Sequence, residues 1–522
     1  MKLVTAEQMR GLDNAAINSF NVPSLELMEN AGRRTVEVML EKYGDPLGRT
    51  VAVFAGPGNN GGDGLVIARL LAARLARPVV FLLVPADKLK GDPAVNYSRL
   101  LEVPVKIIEI RNEEELHTAA IILKQCWTVV DGLFGTGLTR PISGIFAAAV
   151  QIMNEAPGPV IAVDIPSGLN TDTGETLGTC VQADLTVTFG QAKIGQVIHP
   201  GREYTGRLKV VDIGIPEKAV NEADIRLELL ENNVGGLLPE RAPLAHKGSY
   251  GHLLVVAGSL GKSGAAMLCG AGGLRVGTGL VTLCVPYELN QVVESGLWEA
   301  MTVPLQSAAH GILSIEDYTV IRDSLKDKDA VVVGPGIGTA GETAELIINL
   351  YRETEIPVLV DADGLNILAA DKAALVKLKE TAGPRILTPH PGEMSRLTGV
   401  ATQTIMRNRV AVTQEFAAEY NVFVVLKGAD TLVCDPRGNT AINPTGNPGM
   451  ATGGMGDVLA GIIGGFLAQG LSPWQACCLG VYSHGLAGDR LAEETGAGYL
   501  ASELADQLPF VLEDLRMKAS FI

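Results

Sequence analysis

The feature that most constrains this chain is a rhythm. Short runs of apolar and β-branched residues recur at 51–54, 79–84, 127–130, 160–163, 185–189 and 208–213, separated by turns and helix-length stretches. A strand with one wet face alternates apolar and polar residues, whereas one covered on both faces reads as a continuous apolar run. Such runs, separated by helices, define a doubly wound α/β sheet. The rhythm stops from 217 to 241, where Glu222, Asp224, Glu228, Glu231 and Glu240 crowd a segment without strand signal. It resumes at 252–257, 280–285, 330–333, 358–360, 385–387 and 422–426, and closes on helices near 454–469 and 473–490. Two α/β domains are expected, 1–222 and 241–522, joined by an acidic linker at 223–240. Ahead of the first strand, Thr5-Ala6-Glu7-Gln8 is a capping box opening a helix to about Ile17, and a second helix follows Pro23-Ser24.

Composition narrows the function classes. Hydrophobic residues make up 47% of the chain and charged residues 19%, with 61 glycines, which suits large cores and many tight turns. A net charge of −16 and a pI near 5.0 oppose a nucleic-acid partner, which requires basic patches. The seven cysteines are odd in number and lack C-x-x-C spacing, so neither a disulfide framework nor a zinc site is expected, and a reducing compartment is. The N-terminus turns polar before a signal peptide could form, and the most apolar helix, near 458–468, is too short to span a bilayer. A cytoplasmic protein without a membrane partner follows.

The first run ends in Gly56-Pro57-Gly58-Asn59-Asn60-Gly61-Gly62-Asp63-Gly64, opening a helix expected at 65–74. Glycines at a helix start aim free N–H groups at an anion and let phosphates approach. Gly56, Gly58 and Gly61 match G-x-G-x-x-G, but the next run ends in Pro85 rather than in the acid that a dinucleotide-binding motif places on the ribose. Hydride transfer is therefore rejected. Two other strand ends carry Asp131-Gly132-Leu133-Phe134-Gly135-Thr136-Gly137-Leu138 and Asp164-Ile165-Pro166-Ser167-Gly168. Carboxyl ends of parallel strands converge on one crevice, so Asn60, Asp131 and Ser167 can meet there as hard oxygen ligands. The competing reading is that Asp131 and Asp164 only cap turns.

With Leu27-Met28-Glu29-Asn30-Ala31-Gly32, these motifs resemble the NAD(P)H-hydrate epimerase family over residues 1 to about 220. The resemblance implies a Rossmann-like fold and a substrate that is NADH or NADPH hydrated at C6 of the nicotinamide ring, whose two epimers are interconverted. By motif position, Asn59, Asn60, Gly61, Gly62, Asp63, Gly135, Thr136, Gly137, Leu138, Thr139, Arg140, Pro141 and Asp164 would contact the hydrate. Asn60, Asp131 and Ser167 would bind potassium, and Asp164 is the candidate acid/base.

In the second half, Gly261-Lys262-Ser263 imitates the end of a P-loop, but the required first glycine falls on Val256. The stronger signal is Gly453-Gly454-Met455-Gly456-Asp457, entering an apolar helix after a glycine- and proline-rich approach from Asn443. Consecutive glycines at a helix start form an anion hole, and Asp457 beside it can act as base towards a hydroxyl. A plain helix-terminal acid is the alternative. Together with Lys247-Gly248-Ser249-Tyr250-Gly251, Gly334-Pro335-Gly336-Ile337-Gly338, Asp361-Ala362-Asp363-Gly364-Leu365-Asn366, Thr388-Pro389-His390-Pro391-Gly392-Glu393 and Lys427-Gly428-Ala429-Asp430-Thr431, this motif resembles the ribokinase-like superfamily. Within it, the chain is similar to ADP/ATP-dependent NAD(P)H-hydrate dehydratases over about 241–510. The resemblance implies that Ala265, Gly336, His390 and Asp457 contact the hydrate. Lys427, Gly428, Ala429, Asp430, Thr431 and Gly456 would hold an adenine nucleotide, ADP or ATP, with Mg2+. His117, His199, His310 and His484 receive no role. A homo-oligomer is expected, and preference between NADH and NADPH hydrates stays open. A small-molecule kinase fused to a non-catalytic binding module is the rival reading.

Overall fold

Thr5 caps the first helix as its sequence predicts: its hydroxyl accepts from Gln8 N, and the Gln8 side chain accepts in return from Thr5 N. The computed structural model describes residues 1–306, 311–371, 373–374 and 383–519, so His310 lies outside the described residues. Its contacts divide the chain into two units, Met1–Arg226 and Leu227–Ile522.

In the first unit the strands are β1 (Lys2–Val4), β2 (Thr50–Ala55), β3 (Arg77–Leu82), β4 (Lys106–Glu109), β5 (Thr128–Gly132), β6 (Val160–Val163), β7 (Leu185–Phe189), β8 (Ala192–Lys193) and β9 (Arg207–Val211). Seven of them form a parallel sheet in the order β4-β3-β2-β5-β6-β7-β9, while β1 pairs with β8. β2, β3 and β5–β7 are buried almost throughout, as their continuous apolar runs require, and Phe54 stacks on Phe81 at 4.7 Å. The chain winds from β2 one way to β3 and β4, then returns to β5 on the other side. The crevice of such a sheet opens at that reversal.

The helix after β2 starts at Asn59, not at 65. Asparagine and glycine are weak helix formers, which hid this turn. Packing overrides propensity here: a Cβ on Gly61 would lie 2.1 Å from the Gly56 carbonyl oxygen, and one on Gly62 would lie 2.8 Å from Met28 Sδ.

The second unit contains β10 (Leu227–Leu229), β11 (His252–Val256), β12 (Leu280–Pro286), β13 (Met301–Leu305), β14 (Ala330–Val333), β15 (Val358–Val360), β16 (Arg385–Leu387), β17 (Phe423–Leu426), β18 (Leu432–Cys434) and β19 (Thr440–Ile442). Their order is β13-β12-β11-β14-β15-β16-β17-β18-β19-β10. Strands β13 to β17 are parallel, and β17-β18-β19 continue antiparallel. The segment 223–240 is not strandless: Leu227-Glu228-Leu229 pairs in parallel with β19. At three residues, with Glu228 in its centre, that strand is too short for an alternating pattern to register.

Three helices, not two, follow β19: Met455–Ala468, Pro473–Thr495 and Ala501–Ala519. The glycines of the first serve close packing against Ser263–Arg275. A Cβ on Gly461 would lie 1.9 Å from the Cys269 carbonyl oxygen, and one on Gly272 2.4 Å from that of Val458. Among the described residues, no helix is long and apolar enough to cross a membrane.

Candidate active sites

At the reversal of the first sheet, Gly56 N donates to Gly132 O at 3.1 Å, and a Cβ on Gly56 would lie 1.9 Å from Leu133 O. Beside this junction opens a cleft of about 560 Å³. Asn59, Asn60, Asp63, the loop from Gly135 to Arg140 and Asp164 all line it, as the motifs imply. Gly61, Gly62 and Pro141 are not part of its wall. A Cβ on either glycine would run into Gly56 or Met28, so the close packing of this turn requires glycine at both positions.

Asp164 ends β6 with φ +64°, in the left-handed region, where short acidic side chains are tolerated. Its Oδ1 accepts from Lys193 Nζ at 2.5 Å, Thr188 Oγ1 at 3.1 Å and Phe189 N at 3.2 Å. Lys193 has no exposed side-chain surface, and its other donors reach Thr188 Oγ1 and Phe189 O. Gln196 Nε2 holds the Asp164 carbonyl at 2.6 Å. All three carboxylate hydrogen bonds fall on Oδ1, and none on Oδ2 among the described residues.

Asp131 and Ser167 lie behind this wall, fully buried. Ser167 donates to Asp131 Oδ1 through its hydroxyl at 2.6 Å and to Oδ2 through its backbone N at 2.8 Å, while Leu133 N also reaches Oδ1. Burial pushes Asp131 up to about 6 against these hydrogen bonds. Asn60 is close by: a Cβ on Gly135 would lie 3.5 Å from its Oδ1, and its buried Nδ2 has no hydrogen-bond partner. The three expected ligands are thus gathered around one turn. Among the described residues, no group of three or more His, Cys, Asp or Glu is placed to hold a metal.

Sequence reasoning missed Asp13 and Lys193. Both line the cleft, and burial, with the Asp164 charge, lifts Asp13 to about 6. The available signal was Met9, Asp13 and Ile17, one helix face on which an acid sits among apolar residues. Asp63 is raised well above its ordinary range by burial first, then by the charges of Asp164, Asp13 and Asp92.

In the second unit the winding reverses between β11 and β14, where Gly258 N donates to Pro335 O and Ser259 Oγ to Gly336 O. Gly336 has φ +66°, and a Cβ there would lie 3.0 Å from Ala265 Cβ, so those two predicted residues adjoin. Lys427, after β17, bonds Asp361, after β15, at 2.6 Å, and lies 4.0 Å from Glu393. Burial opposes the Lys427 charge, but Asp361 and Glu393 more than offset it and raise its pKa. A Cβ on Gly456 would lie 3.5 Å from Lys427 Nζ. Asp457, in the first helical turn, is pushed up to about 7 by burial and then Asp361, against the pull of Lys427.

His390 caps the helix Pro391–Thr398: its Nδ1 accepts from Gly392 N at 3.0 Å and Glu393 N at 3.3 Å. Burial, Lys427 and Arg396 lower its pKa, and its Nε2 lies 3.5 Å from Glu393 Oε1. In the 427–431 loop, Asp430 is buried, and Arg409 Nη1 holds the Ala429 carbonyl from behind. The loop's polar surface is chiefly backbone. His484, given no role from sequence, is buried with Nε2 3.1 Å from Met455 O, at the start of the glycine-opened helix, and burial lowers it to about 4.

The family model described as NAD(P)H-hydrate dehydratase matches residues 253–510, and that of the YjeF-related protein N-terminus matches 24–195. The bifunctional NAD(P)H-hydrate repair enzyme of Moorella thermoacetica is 42% identical over 525 residues, covering 100% of this chain and 98% of that protein. The chain belongs to the bifunctional NAD(P)H-hydrate repair enzymes. The Escherichia coli member is 34% identical over 510 residues, 96% of this chain and 92% of its own. A crystal structure of the ADP/ATP-dependent NAD(P)H-hydrate dehydratase of Bacillus subtilis, co-crystallised with ATP/Mg2+, is 32% identical, with a TM-score of 0.48, over 55% of this chain and 98% of that one. In this repair-family chain, Met9, Arg10, Asp13 and Ile17 reach the first cleft from a helix that precedes the matched segment.

Proposed function

We propose that the unit Met1–Arg226 epimerises hydrated NADH and NADPH at C6, and that Leu227–Ile522 returns one epimer to the dihydronicotinamide with ADP or ATP. The observation that carries the reading is Asp457, without a hydrogen bond among the described residues, beside a glycine-opened helix start and within the pull of the Lys427 charge. Hydroxide leaves C6 poorly. Phosphorylating the C6 hydroxyl, with Asp457 taking its proton and the Gly453–Gly456 N–H groups facing the phosphoryl charge, makes a good leaving group. The ring nitrogen's lone pair then expels phosphate. In this reading Ala265, Gly336 and His390 seat the hydrate, and the backbone from Lys427 to Thr431, with Gly456, seats the nucleotide. Magnesium would arrive on the nucleotide's phosphates, keeping several waters.

In the first unit Asp164 acts as the proton shuttle. Asn60, Asp131 and Ser167 would hold potassium, since all can offer oxygen and only one carries charge. The orphan Asn60 amide supports this: with its O and N exchanged it becomes an unpaired acceptor. Seven free, buried cysteines favour the cytoplasm. Exposed Trp298 and Tyr287 favour a homo-oligomer, which light scattering tests.

Both hydrate epimers, incubated with the full chain with and without nucleotide, test the whole. Recovery of dihydronicotinamide absorbance from both epimers, only with nucleotide, is expected. A stable phosphorylated product without that recovery would make the protein a small-molecule kinase.

A further inference from the structure

Reversible opening of a ring at a carbon bearing both nitrogen and hydroxyl moves a proton at each heteroatom, which two positioned groups serve better than one. Asp164 supplies only one of them. We propose that Asp63 is the second catalytic group of epimerisation, donating a proton to N1 while Asp164 Oδ2 takes the proton of the C6 hydroxyl. This rests on the epimerase reading of the first unit.

Both side chains line the same cleft, Asp63 from the helix Asn59–Ala73 and Asp164 from the end of β6. Their surroundings divide the labour. Asp164 carries the ion pair with Lys193 and two further donors on Oδ1, from Thr188 and Phe189. Asp63 is 8% exposed and, among the described residues, has no cationic partner; the charges that act on it are those of Asp164, Asp13 and Asp92. Burial and three acidic neighbours favour its protonated form, which is the state a donor needs. Carboxyl groups held in environments of opposite sense serve as acid and base.

The step balances. The N1–C6 bond breaks and its electron pair stays on N1, which takes the Asp63 proton. The hydroxyl proton passes to Asp164 Oδ2, and the released O–H pair completes the C6 carbonyl. Rotation about C5–C6 presents the aldehyde's other face. N1 then attacks, returning its proton to Asp63, and the oxygen recovers the proton from Asp164. No proton or electron is gained, and the product is the opposite epimer.

The test uses the full chain and a single pure epimer, with Asp63→Asn, Asp63→Glu and Asp164→Asn. Asp63→Asn is expected to lower epimerisation kcat by about 10²–10⁴-fold, the usual weight of one acid/base group, with KM little changed. Nucleotide-dependent dehydration of the accepted epimer should persist and reports that the variant is folded. Asp63→Glu should restore part of kcat, and the alkaline limb of the wild-type pH profile should vanish in Asp63→Asn. An Asp63→Asn enzyme with wild-type kcat, or with a raised KM alone, overturns the proposal and leaves Asp63 a binding residue. If the wild type itself does not epimerise, or Asp164→Asn still does, the epimerase reading fails instead.

Discussion

Replacing Asp457 by Asn should make the second unit more stable while abolishing dehydration. Burial and the Asp361 charge lift this carboxyl from 3.8 to about 7. At roughly 1.4 kcal/mol per tenfold change in proton affinity, that is about 4 kcal/mol. The sign follows from proton uptake. Between 3.8 and about 7 the folded state holds the proton more tightly than the unfolded one, so stability falls as pH rises through that window. Below it the wild type and Asp457→Asn should be alike; at pH 5 the variant gains about 1–2 kcal/mol, and by pH 8 nearly all of the 4. Asp457 makes no hydrogen bond among the described residues, so the amide forfeits none. At about 2 °C per kcal/mol for a unit of this size, the variant's Tm advantage should widen by roughly 5 °C from pH 5 to pH 8. Calorimetry of the full chain without nucleotide, at both pH values, measures it. A gap that stays constant or closes with pH refutes the placement of Asp457 as a strained buried acid. Near wild-type dehydration in the variant reduces it to a helix-terminal charge.

Four further outcomes are expected. Dehydration kcat/KM should fall about tenfold from pH 8 to pH 6, because a base near 7 is mostly protonated below it; a flat profile under saturating nucleotide would remove Asp457 as the base. The fragment 1–226, cut where the contacts divide, should fold and epimerise without nucleotide, and an insoluble or inert product from an active parent would show that it cannot stand alone. Asp131→Ala should impair epimerisation and abolish any activation by potassium over a bulky ammonium salt; equal wild-type activity in both salts would argue against the cation. His484→Phe should cost dehydration about 5–30-fold in kcat/KM, the weight of 1–2 kcal/mol lost at the Met455 carbonyl, and unchanged kinetics would return His484 to the core.

The two sheets were legible because parallel strands announce themselves as apolar runs, and their carboxyl ends then located most of the cleft. What failed was short or borrowed from elsewhere. β10 and the β18–β19 hairpin are three residues per strand, below the length at which period two can be told from chance. The turn from Asn59 to Gly64 reads as a loop by propensity and is helical because its glycines pack against Gly56 and Met28. Asp13 and Lys193 lie far in sequence from the glycine loop, and only tertiary packing brings them to it. His484 looked ordinary because its hydrogen bond is to the Met455 backbone, which no side-chain pattern reveals.

In each unit a lysine bonds an aspartate, and it relates to the proposed catalytic carboxyl in opposite ways. Lys193 bonds Asp164 itself, on one oxygen. Lys427 instead bonds Asp361, and Asp457 receives only its more distant pull. Deprived of a direct partner and repelled by Asp361, Asp457 keeps a proton affinity near neutrality, which suits a base that must capture a hydroxyl proton as phosphoryl transfer proceeds. Had Lys427 paired with Asp457, the charge would be better stabilised and the base blunted. The Asp361 carboxylate, 1% exposed and without direct chemistry to perform, is therefore best understood as the partner that draws Lys427 away and sustains the repulsion on Asp457.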